Sequence, residues 1–342
     1  MVDRAVARRP RCADRPGLLG ASKGAAHLLA RGVSVVGIIA NGRSWRNTRE
    51  AVLNHAPPGV LVEAPETLDG YPAALTRFAQ AGVSVVAVDG GDGTLRDVLS
   101  ALPQAYGDKP PSIAIIPSGK TNVAALDVGG VARSAEGLER LAQAATSGAW
   151  RAEEIRRPIM VTTDGWTRIG FVFGLGAYER TTRLVNERVH SRGFAQGIGV
   201  ALGVLMGGAA AFGKDRQIWR SGVPLSIAVD GAPARSGHSF VLLATSLHRL
   251  ILRLYPFWGE GEGAIRLTEI AAPPRRLARG FLALGLGRKP SFADKEGYAS
   301  LRADQVSLTL SDPFILDGDA FSPGPDGRVE LKAGSAIRFV SL

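Results

Sequence analysis

Two hydrophobic rhythms divide the chain, and the change comes near residue 150. In the first half, short apolar runs alternate with stretches whose apolar residues recur every three or four positions. Val33–Ala40, Val60–Glu63, Val83–Val88 and Ile113–Ile116 are runs of the first kind, rich in β-branched residues, as in strands covered on both faces. Pro72–Gln80 carries Ala73, Ala74, Leu75 and Phe78 on one side of a predicted helix. Leu95, Val98, Leu99 and Leu102 set out another helix, with Pro103 as its expected stop. Ser134–Ser147 presents Leu138, Leu141, Ala142 and Ala145 on one face and is closed by Gly148. Strands alternating with helices of this length predict a parallel sheet.

After residue 150 the rhythm shortens. Strands are predicted over Ile159–Thr162, Thr167–Gly174, Leu225–Val229, Phe240–Thr245 and Ile265–Ile270. Val306–Leu310 and Val329–Lys332 alternate apolar and polar residues, and Asp230-Gly231 and Asp326-Gly327 are hairpin signals. A helical excursion interrupts this half around residues 178–213. The expected architecture is an α/β nucleotide-binding domain over 33–150, with a phosphofructokinase- or NAD kinase-like parallel sheet. An antiparallel β-sandwich domain follows over 151–315. A basic tail (1–32) precedes them, and a last segment (316–342) returns towards the cleft.

Composition narrows the function classes. A chain of 342 residues exceeds one ordinary core, and 45% apolar content is enough for two. One cysteine, Cys12, excludes an internal disulfide and fits a reducing cytoplasm. The net charge of +10 implies an anionic partner such as phosphates or a membrane surface. Arg4, Arg8, Arg9, Arg11 and Arg15 come without an apolar stretch, so no secretory leader is expected. Residues 193–213 are uncharged and long enough to span a bilayer, but their seven glycines favour a packed helix. His55, His190, His238 and His248 sit at no metal-ligand spacing, no hydrolase elbow is present, and no nucleic-acid motif accounts for the charge.

Three loops carry candidate chemistry. Gly90-Gly91-Asp92-Gly93-Thr94 joins a buried strand to a helix, where open α/β sheets bind ligands. Its glycines allow close approach of a polyphosphate, and the helix N-terminus favours negative charge. Asp92 can hold Mg²⁺ or accept a proton, although Thr94 and Asp97 also have capping-box spacing. Pro117-Ser-Gly-Lys-Thr-Asn122 follows the next strand. It lacks the upstream glycine of a P-loop, but Lys120 can neutralise a phosphate and Asn122 can contact a nucleotide. Asp317-Gly318-Asp319 places two carboxylates on one side of an extended chain, suited to Mg²⁺ or to deprotonating an alcohol, or simply forms a turn.

Together these residues resemble the diacylglycerol kinase catalytic-domain family, which includes bacterial lipid kinases, sphingosine kinases and ceramide kinases. Gly90–Thr94 is identical to the family's central motif, and Asp317-Gly-Asp319 is similar to its late Asp-Gly-Glu. Thr67 matches a phosphate-contacting threonine, Asn41-Gly-Arg-Ser44 lies where the family has Asn-Pro-x-Ser-Gly, and Pro117–Asn122 where it has Pro-x-Gly-Thr-x-Asn. Gly42, Trp45, Arg96, Lys120 and Val123 depart from that pattern. The resemblance implies transfer of phosphate from ATP, with Mg²⁺, to the hydroxyl of diacylglycerol, ceramide or a sphingoid base. It implies Asp317 as general base, exchangeable with Asp92, and Asp92 and Asp319 as Mg²⁺ ligands. Gly90, Gly91, Gly93, Thr94, Asn41, Thr67, Lys120 and Asn122 would hold the nucleotide. The expected setting is cytoplasmic, peripheral at the inner face of an anionic membrane. Expected partners are the lipid and a second copy in a homodimer, without nucleic acid. Two other readings remain open: a kinase of a soluble acceptor such as NAD, and a catalytically silent nucleotide- or lipid-binding protein.

Overall fold

The computed structural model describes residues 35–41, 56–189, 213, 216–251, 255–285 and 288–342. The basic tail, Gly42–Trp45 and residues 193–212 lie outside them. The first half runs β1 (Val35–Ala40), β2 (Val60–Glu63), α1 (Gly70–Gln80), β3 (Val83–Gly90), α2 (Asp92–Tyr106), β4 (Ser112–Pro117), α3 (Val123–Val128), α4 (Ala135–Ser147) and β5 (Ala152–Arg156). The second runs β6 (Ile159–Thr163), β7 (Trp166–Gly170), β8 (Val172–Gly176), α5 (Ala177–Val189), α6 (Arg216–Arg220), β9 (Val223–Val229), β10 (Arg235–Thr245), β11 (Ile265–Ala271) and α7 (Leu277–Gly285). It closes with β12 (Tyr298–Ala303), β13 (Gln305–Thr309), β14 (Phe314–Leu316), β15 (Asp319–Phe321), β16 (Arg328–Ala333) and β17 (Ile337–Ser341).

The first sheet has the order β2-β1-β3-β4-β17-β5, parallel except for β5. Both of its faces are covered, which is why its strands read as unbroken apolar runs. On one face Leu75 and Phe78 of α1 and Leu95, Val98 and Leu99 of α2 meet Ile39, Val86 and Val88. On the other, Leu138 and Leu141 of α4 meet Val36, Ile38, Val85 and Ile116. Each such buried side chain contributes roughly 1.5–3 kcal/mol. Helix α4 starts and stops as expected: Ser134 Oγ accepts from Gly137 N–H at 3.1 Å, and Gly148 takes φ 72°. Helix α2 instead passes Pro103 and ends at Gly107. The proline gives up only one N–H, its own carbonyl accepts from Gly107 N, and the Tyr106 hydroxyl anchors the extra turn to Val83 O at 3.3 Å.

The second sheet is antiparallel and curls around a core of Phe173, Leu175, Leu242, Leu267, Leu308, Phe314 and Leu331. Its strands form one continuous hydrogen-bonded sheet that curls over its own core, the antiparallel β architecture expected of this half. It branches at β10, whose Arg235–Ser239 pair with β9 and Val241–Thr245 with β8 and β11. Asp230-Gly231 does turn β9 into β10, but Asp326-Gly327 leads into β16, whose partners are β13 and β6, so it is no hairpin. The predicted strand Thr167–Gly174 breaks into β7 and β8 at Phe171, which turns into the first core against Phe339 at 5.8 Å between ring centroids.

The first sheet draws on residues outside 33–150. Strand β5 lies beyond 150 yet belongs to the first sheet, as does β17 from the chain's end. The segment 316–342 is therefore shared: β15 and β16 stay in the second sheet, and β17 slots between β4 and β5. Among the described residues no helix is long and apolar enough to cross a membrane.

Candidate active site

The carboxyl ends of β3 and β4 lie side by side, and the loops that leave them touch. Ser118 N–H donates to Gly90 O at 3.0 Å, which carries the ladder one step past the strands. Beyond it Gly91 and Gly119 meet backbone to backbone, and a Cβ on Gly91 would lie 2.9 Å from Gly119 Cα. Two loops can pack this closely only without side chains. Gly90 is different: its missing Cβ makes room for Thr94, whose Oγ1 accepts from Asn41 Nδ2 at 2.8 Å. Thr94 and Asp97 form no capping box, because the residue preceding α2 is Gly91 and no side chain caps it.

Asp92 is the first residue of α2, and its carboxylate faces the start of α3. It accepts from Val123 N at 3.0 Å, Ala124 N at 3.1 Å and Thr121 Oγ1 at 2.9 Å. The residue before α3, Asn122, has φ 50° and caps nothing. Both ends of its amide are spent on Gly119, at 2.9 Å each, so it shapes the loop. Asp92 thus supplies the missing helix cap from another element.

The second domain delivers the other carboxylates. Asp317, at φ 49°, turns inward from the β14–β15 hairpin. Its carboxylate accepts from Phe171 N at 3.0 Å and Val172 N at 2.9 Å, the amides at the break between β7 and β8. Gly170 is required here, since a Cβ would strike Asp317 Oδ2. Burial, then the charge of Asp92, pushes the Asp317 carboxyl from 3.8 up to about 7, against the opposing pull of the two amides and Arg96. The residue as a whole keeps partial exposure at the hairpin, while the carboxylate is enclosed.

Arg96 joins the two domains. Its buried guanidinium donates to Leu316 O at 3.2 Å and Asp319 Oδ2 at 2.7 Å, the two sides of the hairpin, and to Asp97 at 3.1 Å. Arg168 adds a 3.5 Å pair to Asp97 and lies over Trp166 and Phe321, with its Nε buried and unpartnered. Tyr178, in the first turn of α5, packs on Gly174, which pairs with Ile315 two residues before Asp317. Its hydroxyl is held above its usual range by burial and then by the charges of Asp317 and Asp92. Beneath the loops, fully buried Asp89 is held by Ser118 Oγ and, at 3.4 Å, Arg133 Nε, and its Oδ2 has no partner.

These residues enclose a cleft of about 380 Å³. Of the positions singled out in the sequence, Asn41, Gly91, Asp92, Gly93, Thr94, Lys120, Asp317 and Asp319 line it. Gly90 and Asn122 act behind the surface, and Thr67 is exposed in the loop after β2, outside the lining. Arg96, Asp97, Gly119 and Thr121 complete the lining without having been assigned a role. Arg96 was visible only as a departure from the family's pattern, and nothing in the local sequence ties Tyr178 or Gly170 to Asp317. A larger groove of about 570 Å³ on the second sheet has only Asp326 as an ionisable lining residue.

Among the described residues no three acidic, histidine or cysteine side chains cluster as a metal site. Asp92 is engaged by α3, but Asp319 keeps 61% of its side chain exposed beside Arg96. Two carboxylates lining one cleft fit a Mg²⁺ carried in by phosphates, which keeps several waters and needs only one or two protein ligands.

With this geometry in view, the comparisons are direct. Residues 38–151, which hold the glycine loops and Asp92, match the diacylglycerol kinase catalytic domain. The chain is 37% identical over 98 residues to the probable lipid kinase YegS of Shigella flexneri, covering 27% of this chain and 32% of that protein. It is 35% identical over 96 residues to YegS of Escherichia coli O157:H7, with the same coverage. The chain thus matches about a third of the length of these curated relatives. A putative diacylglycerol kinase from Bacillus anthracis str. Sterne aligns over 90% of this chain and 96% of its own at TM-score 0.60 and 15% identity. A second structure described in the same terms gives TM-score 0.58 at 16% identity. These likenesses show a shared fold over nine-tenths of the chain.

Proposed function

We propose that this protein is an ATP-dependent lipid kinase that phosphorylates the hydroxyl of a membrane lipid such as diacylglycerol, ceramide or a sphingoid base. The observation that carries this reading is Asp317. A carboxylate brought from the second domain faces the glycine loops of the first, and it ionises near neutral pH. That suits a general base, which works best with a pKa near the operating pH.

In this mechanism the backbone at Gly91, Gly93 and Gly119 lets the triphosphate approach, and Lys120 and the N-terminus of α2 offset its charge. Asp317 accepts the proton of the lipid hydroxyl as its oxygen attacks the γ-phosphorus. The bond to the β-phosphate bridging oxygen breaks and ADP leaves. Arg96 holds the Asp317 hairpin against α2, so the base stays in register with the phosphate loop. Mg²⁺, held through Asp319 and Asp92, would neutralise phosphate charge. Most of the catalysis is positioning and electrostatics, which explains why so many cleft residues bind one another.

The test is transfer of labelled phosphate from ATP to a panel of lipids in mixed micelles, with NAD as the soluble control. A labelled phospholipid that appears with the parent and disappears with Asp317→Asn supports the proposal. Labelled NAD without labelled lipid replaces the acceptor. Nucleotide binding with no product in any arm makes the protein a silent binder.

A further inference from the structure

Six large apolar side chains stand exposed among the described residues, and three of them, Ile218, Phe281 and Leu282, lie on α6 and α7. The two helices share one footing. Trp219 of α6 and Leu277 and Leu284 of α7 enter the same cluster with Phe240 and Tyr298. Arg220 of α6 donates to Pro274 O at 2.5 Å, just ahead of α7. Gly280 lets α7 lie close to the sheet, where a Cβ would meet the Tyr298 hydroxyl at 2.6 Å. With Leu277, Gly280 and Leu284 turned inward, Arg279, Phe281 and Leu282 face outward. Ile218 and Leu282 are 67% and 69% exposed.

Charge surrounds this apolar patch. Residues 275–296 carry Arg275, Arg276, Arg279, Arg288, Lys289 and Lys295 against Asp294 and Glu296, a net charge of +4. Arg275 and Arg276 pair with Glu296, and Lys289 with Asp294. Arg279 and Arg288 are exposed and make no ion pair among the described residues. Arg216 adds a further exposed cation at the start of α6. The face is also tied to the cleft. Arg180 of α5 donates to Ile218 O at 2.7 Å, and the same helix carries Tyr178 beside the Asp317 hairpin.

We propose that α6 and α7 form a docking face for an anionic phospholipid bilayer, with Ile218, Phe281 and Leu282 entering the interface and the arginines contacting headgroups. Exposed apolar residues rimmed by arginine are what an interfacial surface requires, since long cationic side chains keep their charge at the headgroups while their stems lie along apolar matter. A second copy of the chain is the poorer occupant, because two such faces would oppose like charge to like charge. This proposal rests on the lipid-kinase reading only for its purpose, which is to present the cleft to an acceptor held in a membrane.

The experiment measures flotation of the full chain with vesicles of phosphatidylcholine alone and of phosphatidylcholine mixed with phosphatidylglycerol, at low and high salt. The parent is expected to float with the mixed vesicles and to be released by salt. Arg279→Ala and Arg288→Ala each weaken binding about five-fold, the equivalent of roughly 1 kcal/mol per cation near the surface. Leu282→Ser weakens it further, while Arg140→Ala on the exposed side of α4 leaves it unchanged. Equal melting temperatures show that the variants are folded. Failure of the parent to float, or equal loss in the Arg140 variant, overturns the docking face. So does a dimer that dissociates in the Leu282 variant while vesicle binding stays intact. Binding that follows the expected pattern in a protein that phosphorylates no lipid leaves the face standing and removes the kinase reading. Phosphorylation of short-chain acceptors without vesicle binding does the reverse.

Discussion

Asp317 links catalysis to stability in a way that one substitution can separate. Its carboxyl ionises near 7 in the folded chain and near 3.8 when exposed, because burial and the Asp92 charge disfavour the anion. A folded-state pKa above the unfolded value means that the native protein holds its proton longer. Asp317 therefore costs nothing below about pH 4, and stability falls as pH rises from there through 7. At about 1.36 kcal/mol per tenfold in proton affinity the full cost is about 4 kcal/mol. Water reaches the hairpin, so about 2 kcal/mol is the expected loss. Asp317→Asn removes the charge and keeps an oxygen that can accept from Phe171 N and Val172 N. The variant should equal the parent near pH 3 and exceed it by about 2 kcal/mol at pH 8, measured by urea unfolding without nucleotide. It should also be inactive, and the parent's kcat should climb with pH through an apparent pKa near 7. A variant that is less stable at pH 8, or equally stabilised at both pH values, would refute the assignment of a buried, strained carboxylate. A flat pH profile of kcat would remove the base.

Three further outcomes follow from the same geometry. Arg96→Ala frees the hairpin and strips Asp97 and Asp319 of a partner; it should cost about 2–3 kcal/mol and lower kcat more than it raises KM for ATP, whereas Arg96→Lys, lacking the fork, should restore stability only in part. Gly119→Ala drives a methyl group into Gly91, so nucleotide titration should show at least a ten-fold weaker Kd for ATP in a protein whose second-domain amides exchange normally. Asp92→Ala uncaps α3, which should cost about 1–2 kcal/mol and speed hydrogen exchange at Val123 and Ala124, locally and even without nucleotide.

Periodicity and loop chemistry determined much of this protein. Val83–Val88 reads as a doubly covered strand because both of its faces are packed, and the helix signals at Ser134 and Gly148 are local hydrogen-bond and φ requirements. Gly90–Thr94 and Asp317–Asp319 stand out because three glycines around a carboxylate, or two carboxylates two positions apart, are unusual over a few positions. What each residue does there was decided elsewhere. Asp92 and Asn122 stand out in the sequence as ligand contacts; the fold adds work that no local pattern shows, Asp92 capping α3 and Asn122 closing the loop on Gly119. Pro103 looked like a helix end, but the helix runs past it, its last turn anchored by the Tyr106 hydroxyl to Val83 O on a neighbouring strand. The end of the chain returns as β17 into the first sheet, a pairing between residues more than two hundred positions apart that no window along the sequence contains. The same holds for Asp317. Its proton affinity depends on two amides at a strand break, a glycine that makes room, and a carboxylate and an arginine on α2. Hydrophobic pattern and turn chemistry act over neighbouring residues and are written in the sequence; burial and charge act through space, so only the folded arrangement sets them.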